Sequence, residues 1–160
     1  MPYVADAGPI LSFARAHHLP LLHAVLGTLL IPEAVYLEIV VRGAGKPGAA
    51  DVQEAAWIAR TAVKDHTLVA SLPAHLHRGE REALALAKER GVGLLVDDRE
   101  ARRVARQQGI AHFGSLRVLQ EAKARGLIAA VKPTLDALIS AGTFLDDTLY
   151  IAFLHSVGEG

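Results

Sequence analysis

The chain has 160 residues, 51% hydrophobic and 21% charged, and its 17 Lys plus Arg balance 17 Asp plus Glu. That length suits one well-buried domain, the composition excludes a disordered chain, and the even charge leaves no overall positive field to attract nucleic acid unselectively. No cysteine is present, which excludes a disulfide framework, a thiolate zinc site and a cysteine nucleophile.

The opening Met1-Pro2-Tyr3-Val4-Ala5-Asp6 lacks a basic leader followed by an apolar core, and no later apolar run approaches the ~20 residues of a membrane helix. A cytoplasmic protein without a membrane segment is therefore expected. Tyr3-Val4-Ala5 predicts a short buried strand, and Gly8-Pro9 punctuates before an apolar-periodic helix through Ala16. Leu19 to Leu26 predicts a second helix and Thr28 to Ile31 a second strand, with Pro32 suited to the first turn of a helix through Val41. Gly43 to Gly48 is a Gly-rich loop. Asp51 is placed to cap a helix through Ala62, with a further strand at Val63 or within 66–69.

Gly79 to Arg90 has strong helix composition, stopped by Gly91 and Gly93 before the strand Leu94-Leu95-Val96. A helix from Asp98 to about Gln108 and a strand at Ile110 to Phe113 follow. Helices then dominate, over Ser115 to Arg125, Thr134 to Ala141 and Asp146 to Val157. Strands alternating with helices predict an α/β domain with a parallel sheet between helical layers.

Four acids stand where a folded chain must partly hide them: Asp6, Glu38, Glu82 and Asp98. A buried carboxylate costs several kcal/mol unless donors or a cation compensate it, and no equally placed Lys or Arg accompanies these four. In an open parallel sheet ligands gather at the carboxyl ends of strands, where Asp6 and Asp98 both fall. Asp6 reads equally as a turn or cap residue. In the pair Asp97-Asp98 one acid can cap the helix while the other meets a ligand, and Asp98 is the ligand favoured here. Glu38 lies in a helix apolar almost all round, and either pairs with Arg42 on a thin exposed strip or binds metal. Glu80 and Glu82 occupy a first helical turn, where the helix dipole favours acids in any case. Oxygen-only ligands from separate elements suit Mg2+ or Mn2+, and hence phosphodiester hydrolysis.

Arg99, Arg102, Arg103 and Arg106 fall at about 0, 300, 40 and 340° around their helix, an arc of ~100° on one face. This stripe is either a solvated outer face or a phosphate track beside Asp98, which Arg78 and Arg81 could extend. Gly43 to Gly48 lacks the spacing of a phosphate loop, and no Asp-x-Asp or Gly-x-Ser-x-Gly pattern occurs. The histidines, His75 and His77 among them, read mostly as surface residues without a zinc site. Leu149, Ile151 and Phe153 of the last helix read as closing the core, with a subunit contact as the alternative.

Val4-Ala5-Asp6, Ile31-Pro32-Glu33-Ala34-Val35 leading to Glu38, Gly79-Glu80-Arg81-Glu82-Ala83, Leu95-Val96-Asp97-Asp98-Arg99 and Phe113-Gly114-Ser115-Leu116 follow one another as in PIN-domain proteins. The chain most resembles the prokaryotic DUF3368 branch, over nearly its whole length as a single domain. The resemblance implies a PIN-like three-layer α/β/α sandwich with a central parallel sheet and a metal-dependent endoribonuclease. It also implies a homodimer that acts on RNA and, as the toxin of a toxin-antitoxin pair, meets a protein antitoxin. On that pattern Asp6, Glu38, Glu82 and Asp98 are the catalytic, metal-binding quartet, with Glu80, Asp97 and Ser115 as supporting residues. Ala7 and Gly8 stand where relatives carry Thr or Ser after the first Asp. Loss of that hydroxyl leaves a catalytically inactive PIN-fold binding or regulatory module as the alternative.

Overall fold

β1 (Tyr3–Ala5) lies at the centre of a five-stranded sheet in which every neighbouring pair is parallel. The computed structural model describes residues 1–160. The other strands are β2 (Leu29–Pro32), β3 (Ile58–Thr61), β4 (Leu94–Leu95) and β5 (His112–Phe113), in the spatial order β3-β2-β1-β4-β5. Val4 stands opposite Leu30 on one side and Leu94 on the other, and Ala5 opposite Leu95.

Alternation along these strands builds the two cores. Ala5, Leu29, Ile31 and Leu95 face one layer, with α1 (Ala7–Arg15), α2 (Leu19–Leu26), α8 (Ser115–Ala124), α9 (Lys132–Ser140) and α10 (Asp147–Ser156). Val4, Leu30, Leu94 and Val96 face the other, with α5 (His66–Ser71), α6 (Arg78–Arg90) and α7 (Arg99–Gln107). A strand buried on both faces reads as a continuous apolar run, which is why β1, β2 and β4 carry almost no polar residue. Each fully buried Leu of the two layers contributes roughly 1.5–3 kcal/mol. The expected α/β/α sandwich with a parallel sheet is the observed fold.

The chain departs from expectation between β2 and α5. Pro32 ends β2, and α3 (Glu33–Tyr36) begins one residue later, continuing through a π-helical turn, Leu37–Val41. Its wide turn is closed by the Arg42 amide donating to the Leu37 carbonyl at 2.8 Å. Gly48, not Asp51, precedes α4 (Ala49–Glu54), and the strand expected near Val63 or 66–69 is instead Ile58–Thr61. As an edge strand with half-exposed residues, β3 lacks the clean apolar signal of its neighbours. Arg60 ties it to α3 through Glu33 and lies over the Tyr36 ring.

At the carboxyl end, Glu159 serves as cap for α9, which has none of its own at Val131. Its Oε2 accepts from the Val131 amide (2.7 Å) and from Lys123 Nζ (2.8 Å), and its Oε1 from the Lys132 amide (2.9 Å). Leu154 of α10 is buried and Phe153 partly so, but Leu149 and Ile151, expected in the core, are 47% and 64% exposed. The two point in different directions, about 200° apart around α10. No helix is long and apolar enough to cross a membrane.

Candidate metal centre

From β1 the sheet grows outward in both directions, to β2 on one side and β4 on the other, so the chain order reverses between β1 and β4. Such a reversal splays the following segments to opposite faces and opens a crevice at the carboxyl ends of the two strands. Asp6 follows β1 directly, its amide donating to the Leu95 carbonyl at 3.0 Å, and Asp97 and Asp98 follow Val96 after β4. The backbone thus delivers acids from both strands to one place.

Asp6 is 5% exposed, and its Oδ1 is excluded from water without a hydrogen-bond partner. Burial pushes its carboxyl up to about 7, against the pull of the Ala7 amide. The negative charges of Glu80 and Glu38 raise it further, and His77 opposes them. Ligand atoms of Asp6, His77 and Glu80 all lie within 4.8 Å of one another.

α6 presents two of these three through a reciprocal cap. His77 Nδ1 accepts from the Glu80 amide (3.3 Å), and Glu80 Oε1 accepts from the His77 amide (3.1 Å). Glu80 is buried, and its carboxyl is raised chiefly by that burial, with Asp98 close enough to add to the rise. Glu38 arrives from the π-helical turn. Its Oε1 lies 3.2 Å from the point a Cβ on Gly79 would occupy, and the His77 ring 3.3 Å from the same point. Gly79 is therefore the surface against which Glu38 and His77 come together, and no ion pair joins Glu38 to Arg42.

Glu82 is engaged elsewhere. Its Oε1 accepts from the Ala34 amide (3.0 Å) and its Oε2 from Arg78 Nε (2.8 Å), which fastens α6 to α3. Glu80 and Glu82 differ by about 200° around the helix, so only one can face β1. The pair Asp97-Asp98 also divides its work otherwise than expected. Asp98 caps α7 through Oδ2 and the Ala101 amide (2.9 Å), while Asp97 accepts from the Ser115 amide (2.7 Å) and Oγ (2.6 Å). Gly114 sits between Asp97 Oδ1 and Arg102 Nη1, which would be 2.7 and 2.6 Å from a Cβ there.

The arginine stripe is not uniform. Arg102 donates to the Val96 carbonyl (3.2 Å) and supports the end of β4. Arg103 pairs with Glu100 at 2.8 Å, and His75 meets the same carboxylate. Arg99 and Arg106 are exposed and enter no ion pair, so they alone of the four are free cations. His77, which reads in the sequence as a surface residue, stands beside both Asp6 and Glu80. Its signal was the spacing His77-Arg78-Gly79-Glu80, a cap and its third helical residue ahead of an apolar run.

The donor set fits a divalent cation. A deeply buried carboxylate oxygen without a donor, beside a second acid and an imidazole, can be compensated by a positive ion in place of a proton. A parallel α/β/α sandwich with acids converging at the reversal point of the sheet is the architecture of a PIN domain. The chain belongs to the family DUF3368, a PIN domain, which matches residues 2–159. PIN domains generally have metallonuclease activity and typically use divalent metals. The fold is similar to that of a PilT N-terminus domain protein, SSO1118, from the hyperthermophilic archaeon Sulfolobus solfataricus P2. The TM-score is 0.50 at 14% identity, over 91% of this chain and 98% of that one. No curated protein matches the chain in sequence.

Proposed function

We propose that the protein is a metal-dependent endoribonuclease that hydrolyses phosphodiester bonds in the crevice between β1 and β4. The observation that carries this reading is the buried, unpartnered Oδ1 of Asp6 beside Glu80 and His77. Mg2+ or Mn2+, when bound, neutralises charge on a phosphoryl group and acidifies water enough for attack at neutral pH.

Asp6 and Glu80 would hold the ion, with the Glu38 and Asp98 carboxylates close by. Glu82 acts at one remove: by accepting from Ala34 it fixes α3 and hence the turn that carries Glu38. Asp97, Ser115 and Arg102 lock the segment after β4, so that Asp98 is presented from a rigid support. Arg99 in the first turn of α7 and Arg106 in its last are the free cations available to seat backbone phosphates. RNA as substrate and a protein antitoxin rest on the family resemblance. A homodimer rests on the same resemblance, and the exposed Leu149 and Ile151 of α10 are candidate contacts for it.

Ala7 and Gly8 favour a second reading, a binding or regulatory PIN module without catalysis, because neither supplies a hydroxyl beside Asp6. Calorimetric titration with Mn2+, then incubation with mixed RNAs with and without EDTA, separates the two. Chelator-sensitive cleavage that Asp6→Asn abolishes supports the nuclease. Metal uptake without cleavage supports the module, and wild-type cleavage by Asp6→Asn removes the proposed role of that residue.

A further inference from the structure

Acids alone do not make up the cluster at the end of β1. We propose that His77 turns this site into a nitrogen-and-oxygen centre that prefers first-row transition ions such as Co2+ or Mn2+ to Mg2+. The inference rests on the metal site proposed above and specifies the ion class that site selects.

Three observations support it. An imidazole nitrogen of His77 falls within 4.8 Å of carboxylate oxygens of both Asp6 and Glu80, the spread one ion can bridge by small side-chain movements. The His77 side chain is 54% exposed, so an ion can reach it from solvent, whereas Asp6 is buried behind it with Oδ1 unpartnered. Gly79 lets the ring come close to the helix and to Glu38: a Cβ there would stand 3.3 Å from Cε1 and Nδ1 and 3.2 Å from Glu38 Oε1. Mg2+ takes oxygen ligands and releases its waters reluctantly, while imidazole binds later first-row ions with rising affinity.

The same ring caps α6, and the two roles exclude one another. Nδ1 accepts from the Glu80 amide, so the neutral ring carries its proton on Nε2, 3.4 Å from Glu80 Oε1. To ligate through Nε2, the ring moves that proton to Nδ1, which then cannot accept from the amide. To ligate through Nδ1, it spends the lone pair that makes the cap. At the ring, loading a transition ion therefore exchanges a helix cap for a metal bond.

This exchange gives a clean test, because Asn is among the best capping residues but a poor metal ligand. Wild type, His77→Asn and Asp6→Asn are titrated calorimetrically with Co2+ and with Mg2+, and the Co2+ absorption band is recorded for each. Wild type should bind Co2+ about tenfold or more tighter than Mg2+, and His77→Asn should lose most of that preference while keeping its Mg2+ affinity and its melting temperature. The visible band should move toward that of an all-oxygen site. Equal Co2+ affinity and an unchanged band in His77→Asn overturn the inference, as does a wild type that does not distinguish the ions. If Asp6→Asn keeps both ions, the metal site itself is wrong; if it loses both while His77→Asn keeps its preference, only the role of His77 fails.

Discussion

Asp6 and Glu80 bring carboxylate oxygens within 4.8 Å of each other from β1 and from the first turn of α6, although each is buried and each is raised in proton affinity by that burial. Two acids placed so closely repel when ionised, and the fold tolerates them because a proton or a cation can be shared between them.

That relationship sets a pH dependence. The Asp6 carboxyl titrates at about 7 in the folded chain against an ordinary 3.8, so the folded state binds the extra proton over that interval. Stability without divalent ions should be full below about pH 4 and decline as pH rises through about 7. Asp6→Asn should flatten this slope and, at pH 8 in EDTA, exceed wild type by as much as roughly 4 kcal/mol. Urea denaturation at pH 5 and pH 8 checks it, and adding Mn2+ should restore wild type but not the variant.

Gly79→Ala should separate stability from activity. Alanine is the better helix residue by up to about 1 kcal/mol, so the fold should be unharmed or slightly firmer. Its Cβ would press on Glu38 Oε1 and the His77 ring, and a displaced acid should lower kcat/KM roughly tenfold to a hundredfold. Thermal melts beside RNA cleavage rates decide the matter.

Ser115→Ala removes the 2.6 Å hydrogen bond to Asp97 and should cost roughly 1.5–3 kcal/mol, as expected for a bond to a charged acceptor. Gly114→Ala should displace Asp97 Oδ1 and Arg102 Nη1, the ends of side chains that can shift, and so cost no more than Ser115→Ala. Denaturation midpoints at constant m-value report both.

Arg99→Ala and Arg106→Ala should weaken RNA binding and each reduce the salt slope by a little under one unit. Arg103→Ala should change binding less, since its guanidinium is already paired with Glu100. Binding isotherms at several salt concentrations distinguish them.

Glu159 is held down to about 2 by Lys123 and by the Val131 and Lys132 amides. A depressed carboxyl stabilises the fold above its ordinary range and ceases to do so as pH falls toward about 2. Glu159→Ala should melt below wild type at neutral pH, and the gap should close with acidification.

Much of this architecture is legible in the residues. β1, β2 and β4 are short apolar runs ended by Asp or Pro, and Asp6 and Asp98 read as lying at strand carboxyl ends, whereas the strand order that sets β1 beside β4 is visible only in the fold. Trp57 to Thr61 was opaque because an edge strand needs no apolar alternation on its open side, and Ala59 with the flanking Ala55, Ala56 and Ala62 resembles helix. Glu80 and Glu82 share one turn of α6, and only the packing of that helix on β1 and α3 decides which acid faces inward. His77 is the surface residue it reads as, 54% exposed, but its cap on Glu80 and its place beside Asp6 show only when all three are positioned.

The wide turn at Leu37–Val41 has a consequence for how this protein could fall silent. Removing one codon there would let the helix relax to its usual pitch and swing the Glu38 carboxylate off Gly79, with every acid still spelled out in the gene. Among related chains, a tally of preserved acids would count such a lineage as intact, whereas the gap in the alignment would mark the lost activity.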